Sequence, residues 1–373
     1  MTNNTPRDSK SDNHITWLYK SGKTKQDIIT DPIFYMVDAS HYDPREETRM
    51  EHNGYAENIF CQTADSNKFN PAAAMEETEK LRELLVSLDT SVILGPGRAG
   101  QLDGVFTRDA GMSFMTVTRE NNGQIQHIDM KTLTANFHHH KRHEQGETHG
   151  YMEAISFLYH HLNEDFDGPD IGINMHQIHF DKNDPTVEFG DFMYVPSQDI
   201  LIAGHKPAWA TEPHDGRTDI AFHDIAAKRF GLQGRILPIE VDNGFFHADT
   251  SMKWLPNGKV IAYENGMSRQ SFNRVVKAAG GTDNIIQISK MDAMAYAANS
   301  LVVNDQDIIM PSEVSKKLVR EIEKSGIKVH TTPLSQFTEQ SGGGSNCLTN
   351  RLNNFRRPKT QGDDEQAFAA SFE

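Results

Sequence analysis

Short apolar runs and amphipathic stretches alternate along most of the chain. Residues 33–37 (Ile-Phe-Tyr-Met-Val) and 92–94 (Val-Ile-Leu) are continuously apolar, which is typical of buried strands. Between them, residues 72–88 carry the helical pattern, with Leu81, Leu84, Leu85 and Leu88 on one face. The pattern therefore predicts a strand, a helix and a second strand near the start of the chain.

The same alternation returns further along. Strands are predicted over 192–203 (two segments around a Pro-Ser-Gln-Asp turn), 235–241, 251–263 (interrupted by a Pro-Asn-Gly turn), 301–303 and 308–310. Helices are predicted over 150–162, 219–230, 268–279, 291–299 and 312–325. Strands mixed with helices throughout predict an α/β or α+β class. The strand–strand–helix–strand rhythm recurs, although no repeat is visible residue by residue.

The two ends differ from the rest in composition. Residues 1–14 and 359–373 are polar and lack apolar periodicity, so both are predicted to be disordered tails. No internal linker interrupts residues 15–358, which are predicted to form a single domain.

Charge and cysteine content narrow the function classes. The formal net charge is -15, which repels phosphate backbones and argues against nucleic-acid binding. Two cysteines, Cys61 and Cys347, do not make a disulfide framework, and a reduced, cytoplasmic setting is expected. The chain has no signal-like segment and no apolar run near the roughly 20 residues of a membrane span, so no membrane partner is predicted.

A run of three glycines precedes the second cysteine. Gly342 to Gly344 can adopt positive φ angles and allow close approach of the backbone to a ligand, which would place Cys347 at the end of a strand as an exposed thiolate nucleophile. Taken alone, the segment is more typical of ordinary structure, namely a glycine-rich surface loop beside a small buried cysteine.

A histidine and a carboxylate stand two residues apart in the segment Phe246–Thr250. If this segment is extended, His247 and Asp249 point to the same side. Such a pair can act as an acid–base group with a cation-binding partner, or as a hydrogen-bonded structural pair.

Two further segments place carboxylates near predicted strands. Glu188 and Asp191 lead into an apolar run, where an unpaired buried charge is costly. Arg108 and Asp109 lie between an apolar segment and a glycine. The structural alternative for the first segment is a turn residue at the start of a strand, and for the second it is a solvated charge pair.

A histidine-rich stretch covers residues 137–143 (Phe-His-His-His-Lys-Arg-His). Adjacent histidines do not share a helix face, and no carboxylate or cysteine stands at the usual ligand spacing. No metal site is predicted here. A solvated basic loop, or a loop bordering the substrate entrance, is expected instead.

Each motif is weak alone, but together and in this order they resemble the guanidine-modifying superfamily of arginine deiminases, dimethylarginine dimethylaminohydrolases and amidinotransferases. The matching segments are Phe106–Asp109 (the deiminase Arg-Asp motif), Glu188–Asp191 (Glu-Gly-Gly-Asp), His247–Thr250 (His-Leu-Asp-Thr), Gly342–Thr349 (the nucleophile loop), Ala297–Asn299, and residues 34–42 at the opening. The resemblance covers about residues 33–350, nearly the whole predicted domain.

The resemblance implies a fold, a reaction and residue roles. The fold would be a five-bladed α/β-propeller (pentein) of ββαβ units. The reaction would be cysteine-dependent hydrolysis of the guanidino group of arginine or a derivative, through a covalent thiouronium and without a cofactor. The implied roles are Cys347 as nucleophile, His247 as acid–base, Glu188 as its partner, and Asp109, Asp249, Asp191 and Arg108 as substrate-binding residues.

Alternatives stay open at this stage. An amidinotransferase would pass the amidino group to an amine, and a non-catalytic protein would only bind a guanidine. The expected partner is a small guanidino compound, and the sequence is compatible with a homo-oligomer.

Two departures from the family pattern concern the substrate. Family hydrolases often carry an arginine for the substrate carboxylate where this chain has Gly204–Thr211, so His205 or Lys206 is predicted to replace it unless the substrate lacks that group. Phe189 stands in place of a glycine and is predicted to narrow the pocket.

Overall fold

The structure is a computed structural model. It describes residues 15–20, 23–44, 68–101, 103–137, 142, 146–164, 172–178, 180, 183–207, 217–242 and 244–355, and the fold and the site are discussed for these residues. The predicted tail 1–14, the tail 359–373 and Cys61 lie outside them.

Strands and helices follow one another from near the start to the end of the described chain. The strands are β1 (Thr16–Leu18), β2 (Ile33–Val37), β3 (Ser91–Gly95), β4 (Gly111–Arg119), β5 (Ile125–Thr134), β6 (Gly172–Ile178), β7 (Phe192–Val195), β8 (Ile200–His205), β9 (Ile236–Glu240), β10 (Met252–Trp254), β11 (Val260–Ala262), β12 (Ile285–Gln287), β13 (Leu301–Val302), β14 (Asp307–Pro311), β15 (Lys328–Thr332), β16 (Asn350–Arg351) and β17 (Asn354–Phe355). The helices are α1 (Lys25–Thr30), α2 (Pro71–Ser87), α3 (Glu147–Glu164), α4 (Phe222–Phe230), α5 (Ala248–Ser251), α6 (Arg269–Ala278), α7 (Lys290–Met294), α8 (Lys316–Lys324) and α9 (Ser335–Thr338). The predicted α/β class is confirmed.

The strands of the described chain form five separate sheets, and none of these closes on itself. Their strand orders are β1-β3-β2-β16, β17-β4-β5-β6, β7-β8-β9, β10-β11-β12 and β13-β14-β15. Each sheet contains an antiparallel pair that continues into a parallel pair. Parallel neighbours need a crossover, and here α2, α3, α4, α6 and α8 each link the two parallel strands of one sheet.

Local chemistry fixes where these helices begin and end. Asn70 caps α2 by accepting from the backbone N–H groups of Ala72 and Ala73, with Pro71 at the first helical position. Helix α4 ends at Gly231, whose φ of 68° is the left-handed conformation that terminates helices.

The last described strands return to the beginning of the chain. Strand β16 pairs antiparallel with β2, with Asn350 opposite Tyr35. The Asn350 amide also donates to the carbonyls of Thr107 and Gly111, both at 2.8 Å. The segment that carries Cys347 is therefore held against the segment that carries Asp109.

Two predicted elements change at their ends. The predicted strand over 251–263 begins only at Met252, because Ala248–Ser251 form the short helix α5. The helix predicted over 291–299 ends at Met294, since Tyr296 has a φ of 58°, which a right-handed helix cannot accommodate.

None of the helices in the described part of the chain is long and apolar enough to span a membrane.

Candidate active site

The loop before Cys347 is anchored to the Ala-Ala-Asn segment at residues 297–299. The Cys347 backbone N–H donates to Asn299 Oδ1 at 3.1 Å, and the Asn346 N–H donates to the Asn299 carbonyl at 3.0 Å. A Cβ atom on Gly344 would lie 2.8 Å from Asn299 Oδ1, so the approach requires glycine. Gly342 has a φ of 92°, as the glycine run predicts for at least one position.

The Cys347 thiol is buried rather than exposed at a strand end, which corrects one prediction. Only 2% of the residue is accessible, and it packs in an apolar cluster with Phe106 and Phe337. Burial raises the pKa of Cys347 well above the ordinary thiol value, and the negative charges of Asp249 and Asp109 raise it further. The thiol is therefore protonated at neutral pH.

His247 lies between two carboxylates. The residue is extended and directly precedes α5. Its Nε2 donates to Glu188 Oε2 at 3.1 Å, and its Nδ1 lies 3.5 Å from Asp109 Oδ1. Burial by itself lowers the pKa of His247, but Asp109, Glu188 and Asp191 outweigh it and raise the pKa to about 9. The ring is thus an imidazolium at neutral pH.

Gly190 makes this close packing possible. A Cβ atom at position 190 would lie 2.4 Å from His247 Nδ1 and 2.9 Å from Asp109 Oδ1.

Glu188 accepts from two arginines as well as from His247. Arg217 Nη1 lies 2.8 Å and Arg142 Nη1 lies 2.9 Å from Glu188 Oε2. Burial raises the pKa of Glu188, but the two guanidinium groups and the imidazolium outweigh it and hold the pKa well below its usual range. Glu188 is therefore a permanent anion.

Arg142 is buried, which corrects the prediction of a solvated loop for this residue. Its side chain is 2% exposed and donates to Glu147 Oε2 at 2.7 Å, Glu188 Oε2 at 2.9 Å and Asp109 Oδ2 at 3.3 Å. The rest of the histidine run, 138–141 and 143, lies outside the described residues. A composition-based pattern of basic residues does not distinguish a solvated arginine from one enclosed by carboxylates.

Asp249 reaches the site from a helix and not from a strand. It lies in the first turn of α5, which corrects the extended geometry considered for residues 247–249. Its Oδ2 accepts from Asn346 Nδ2 at 2.7 Å. This hydrogen bond holds the carboxylate beside the residue that precedes Cys347.

Several buried polar atoms of the site lack a hydrogen-bond partner within the described residues. They are Asp109 Oδ1, Glu188 Oε1, Asp191 Oδ2, His247 Nδ1 and Asp249 Oδ1. Buried polar atoms are hydrogen-bonded in most native structures, so a cluster of unpaired ones marks atoms available to a ligand. Most of them are carboxylate oxygens, which favour a cationic ligand that donates several N–H bonds.

One potential metal-ligand atom from each of Asp109, Glu188 and His247 lies within 4.8 Å of the other two, a spacing that a metal ion could bridge. Glu188 Oε2 already accepts from two arginines, and their positive charges oppose a second cation at this point. The arrangement fits an ion-pair network around the imidazolium.

Asp191 and Arg108 connect the site segments. Asp191 Oδ1 accepts from the Ala248 backbone N–H at 2.9 Å, next to His247. Arg108 donates from its guanidinium to the Phe192 carbonyl and from its backbone N–H to the Cys347 carbonyl at 3.2 Å. Both side chains are buried, and both hold motif segments together.

Comparison with known proteins yields a sequence relative and several similar structures. No family model matches the chain. The bifunctional arginine dihydrolase/ornithine cyclodeaminase ArgZ of Synechocystis sp. is 25% identical over 289 residues, which are 77% of this chain and 34% of ArgZ. The N-terminal domain of ArgZ, described as an arginine dihydrolase bound to product, has a TM-score of 0.66 at 23% identity and covers 88% of this chain and 100% of that one. A dimethylarginine dimethylaminohydrolase in an adduct with S-methyl-L-thiocitrulline has a TM-score of 0.54 at 18% identity, with 86% and 100% covered.

The chain has the fold of the guanidine-modifying superfamily. The resemblance seen in the sequence is confirmed at this level. The chain spans about a third of the length of its curated relative, and the matching solved domain is that protein's N-terminal part.

Within this superfamily fold, the structure brings the predicted motif residues into one network and adds others. Asn299, Asn346, Arg142 and Arg217 contact them directly but were not predicted as site residues. Asn299 and Asn346 had a sequence signal, because they lie in the matching segments Ala297–Asn299 and Gly342–Thr349.

The structure also shows the surroundings of His205, Lys206 and Phe189, where the sequence departs from the family pattern. Lys206 pairs with Asp219 at 2.6 Å, and His205 Nδ1 contacts the Lys206 carbonyl, so both side chains already have partners in the described chain. Phe189 is fully buried and packs against Phe192 and Phe222 in the apolar core, and its narrowing of the pocket stays a prediction.

Proposed function

We propose that this protein is a cysteine-dependent hydrolase of the guanidino group of arginine or a close derivative. The observation that carries the proposal is the convergence of a buried thiol, a buried imidazolium and carboxylates with unpaired oxygens. A planar guanidinium needs this set, namely acceptors to orient it, a nucleophile for its carbon and an acid for its leaving nitrogen.

The five ββαβ sheets support a five-bladed propeller built from residues 15–358 as one catalytic domain. In such an arrangement each blade contributes the start or end of a strand to a shared centre. The site segments agree with this, since they come from the loops of different sheets.

Asp109 and Asp249 are proposed to bind the guanidinium. Each has one buried oxygen without a hydrogen-bond partner in the described chain, while its second oxygen is held by Arg142 or Asn346. A carboxylate accepts two N–H groups in fork geometry, which fixes the orientation of the planar cation. The bound cation also compensates the negative charges that raise the pKa of the thiol, so binding promotes loss of the Cys347 proton to solvent.

In the first half-reaction the Cys347 thiolate attacks the guanidinium carbon. The carbon becomes tetrahedral, the C–N bond to the leaving nitrogen breaks, and His247 transfers its proton to that nitrogen. Ammonia or an alkylamine departs, and a cationic thiouronium remains on sulfur. Glu188 stabilises the imidazolium before this transfer through its 3.1 Å hydrogen bond.

In the second half-reaction neutral His247 removes a proton from water, and the resulting hydroxide adds to the thiouronium carbon. The C–S bond then breaks with its electron pair returning to sulfur, the proton of the added hydroxyl passes to the thiolate, and a neutral ureido product leaves. The positive charge of the thiouronium lowers the proton affinity of His247, so the same ring can serve as acid and then as base.

Asp191 and Arg108 are proposed to act by position rather than by binding the guanidinium. Asp191 fixes the backbone next to His247, and Arg108 ties Asp109 to Cys347 through its backbone.

Arg217 is proposed to bind the carboxylate of an amino-acid substrate in place of the arginine missing near Gly204. Its guanidinium lies 4.8 Å over the Phe246 ring, and its side chain is 12% exposed, against at most 5% for Arg142, Asp109, Glu188 and His247. A guanidinium is the side chain best suited to bind a carboxylate in two-point geometry.

The similar proteins support the hydrolase, since their descriptions name an arginine dihydrolase and a dimethylarginine dimethylaminohydrolase. An amidinotransferase and a non-catalytic guanidine-binding protein are the competing possibilities.

Product analysis by mass spectrometry tests the proposal. The protein and its Cys347→Ser variant would be incubated with arginine, methylarginines, agmatine and guanidinoacetate, each with and without glycine, lysine or ornithine as acceptor. We expect a ureido product, or the free amine left by a second hydrolysis. It should form without an acceptor and disappear in Cys347→Ser. A product that requires the acceptor would instead identify an amidinotransferase, and binding without any product would identify the non-catalytic alternative.

A further inference from the structure

Arg217 lies at the start of a short segment, residues 217–219, that is neither helix nor strand. This segment passes between the residues that lead to Glu188 and the residue that follows strand β8. Hydrogen bonds join it to both neighbours. The position of the Arg217 backbone is therefore set by the partners of the two residues that follow it.

On one side, the segment is bonded to residues 186–188. Asp219 Oδ2 accepts from the Thr186 backbone N–H at 2.8 Å and from Thr186 Oγ1 at 3.0 Å, and the Asp219 N–H donates to the Thr186 carbonyl at 2.9 Å. Thr218 Oγ1 accepts from the Glu188 N–H at 3.2 Å. These bonds fix the segment beside Glu188, whose Oε2 accepts from Arg217 Nη1 at 2.8 Å.

On the other side, the segment is bonded to Lys206. The Lys206 backbone N–H donates to the Thr218 carbonyl at 3.0 Å, and Lys206 Nζ lies 2.6 Å from Asp219 Oδ1. Burial by itself raises the pKa of Asp219, but the bonds from Lys206 and Thr186 outweigh it and hold the pKa below its ordinary value. Asp219 is therefore an anion at neutral pH, and its two oxygens join two different parts of the chain.

We propose that Asp219 and Lys206 are positioning residues that make the site selective for a substrate with a carboxylate. Asp219 holds the segment that carries Arg217, and Lys206 holds Asp219. Neither side chain contacts the substrate in this account. The lysine that stands where family hydrolases often have an arginine serves the substrate carboxylate indirectly. The inference rests on the proposed function, since that assigns the carboxylate to Arg217.

A purely structural role for Asp219 has a different signature. If Asp219 only stabilised the fold, its substitution would weaken activity on every substrate alike. If it positions Arg217, its substitution weakens activity on substrates with a carboxylate selectively. Arginine and arginine amide differ only in that group, so the ratio of their kcat/KM values separates the two roles. A change in the nucleophile, in His247 or in the overall fold affects both substrates and cancels in the ratio.

The test measures this ratio, arginine over arginine amide, in a set of variants. Asp219→Asn is expected to lower it about tenfold, since a small displacement of a positioned group has effects of this order. Lys206→Met is expected to lower it about threefold, because one partly exposed ion pair is lost. Lys206→Arg keeps the charge and should retain the ratio. Asp307→Asn is the matched control, because this carboxylate pairs with His330 at 2.7 Å in another sheet, and it should leave the ratio unchanged.

Arg217→Met shows whether Asp219 acts through Arg217. This substitution alone is expected to abolish the preference for arginine. In its background Asp219→Asn should have no further effect on the ratio, because the residue that Asp219 positions is gone. An unchanged ratio in Asp219→Asn, or a ratio that falls by the same factor with and without Arg217, would overturn the inference. If Asp219→Asn does not fold, an unchanged ratio in Lys206→Met would overturn it instead.

Binding to Cys347→Ser separates this inference from the proposed hydrolysis. Calorimetric titration of that variant gives the affinities for arginine and arginine amide without turnover. A preference for arginine that is lost on adding Asp219→Asn, in a protein that forms no ureido product, would support the inference and refute the hydrolase. Formation of a ureido product without any preference in the wild-type protein would refute the carboxylate role of Arg217, and this inference with it, and leave the hydrolase intact.

Discussion

The two sides of the candidate site differ in how their charges are balanced. On the acid–base side, Glu188 accepts from Arg142, Arg217 and the His247 imidazolium, so anion and cations are paired without a substrate. On the nucleophile side, asparagine amides and backbone groups hold Asp249 and Cys347, and the thiol is protonated by burial and by its acidic neighbours. The acid–base side is therefore ionised without a ligand, whereas ionisation of the thiol on the nucleophile side requires a nearby cation.

In the proposed reaction, a guanidinium substrate supplies that cation. Its binding neutralises the carboxylates that disfavour the thiolate, so the nucleophile forms mainly where a substrate is present. A buried thiol that ionises only with bound substrate is also protected from alkylation and oxidation, which act on the thiolate. Substitutions on the acid–base side should therefore affect stability as well as activity, whereas substitutions on the nucleophile side should mainly affect activity.

The largest effect is expected on the nucleophile side, from Cys347→Ser. Removal of an enzymic nucleophile lowers turnover by about 10⁴-fold or more, while the guanidinium contacts remain. Steady-state rates and calorimetric titration with arginine measure the two properties. Activity close to that of the wild type would exclude Cys347 as the nucleophile.

Glu188→Gln is expected to have the next largest effect, on both activity and stability. It leaves Arg142 and the His247 ring without their shared anion, and loss of one partner in a buried ion pair costs about 3–5 kcal/mol. Denaturant unfolding measures the loss, and the exposed Glu264→Gln serves as the control. If Glu188→Gln unfolds like the wild type, the acid–base side is not the charge-paired network described above.

Asp249→Asn and Asp109→Asn are expected to raise KM by about 10- to 100-fold, since each removes a charged hydrogen bond worth about 1.5–3 kcal/mol. Asp249→Asn is also expected to lower the pKa of Cys347, because a negative neighbour of the thiol is lost. KM and thiol titration measure the two effects. Unchanged KM in both variants would remove the proposed guanidinium clamp.

The pH dependence of stability gives a smaller effect, specific to the acid–base side. The pKa of His247 is raised from about 6.5 to about 9 on folding, so its protonated form stabilises the protein fully below pH 6.5, and this contribution is lost as the pH rises through 9. The difference in free energy of unfolding between wild type and His247→Asn should shrink by about 3 kcal/mol over this range. A difference that stays constant with pH would contradict the raised pKa. The comparison with His247→Asn is needed because Lys253, with its lowered pKa, contributes in the opposite direction.

Chelation and Cys61→Ala are expected to have the smallest effects. No step of the proposed reaction uses a metal, and Cys61 lies outside every motif. The rate of the wild-type protein should be the same with and without EDTA within error, and the rate of Cys61→Ala should equal that of the wild type. Loss of activity on chelation would point to an ion among Asp109, Glu188 and His247.

The sequence predicts the fold best where burial is complete. Strand β2 is buried at every position, and its continuous apolar run identifies it. In the hairpin of β4 and β5, β5 mixes buried Ile128 and Met130 with Asp129 and Lys131, and it was not predicted. Strand β15 is polar and mostly accessible, and its parallel pairing with β14, which the local sequence does not encode, makes it a strand.

The site residues were likewise predicted only where the local sequence identifies them. The motif residues were predicted because their order along the chain matches a family. Arg142 and Arg217 were not, since they reach Glu188 from 46 and 29 residues away and only the folded chain brings them together.

The proposed chemistry requires a covalent bond between the substrate carbon and Cys347. Intact-mass and peptide mass spectrometry of His247→Asn, quenched with acid after exposure to arginine, tests this, since that variant should form the thiouronium and release it slowly. The account predicts an added mass equal to arginine minus ammonia on the peptide that contains Cys347, absent in the double variant with Cys347→Ser. Turnover by the wild-type protein with no adduct on Cys347, or an adduct on Cys61 instead, would contradict it.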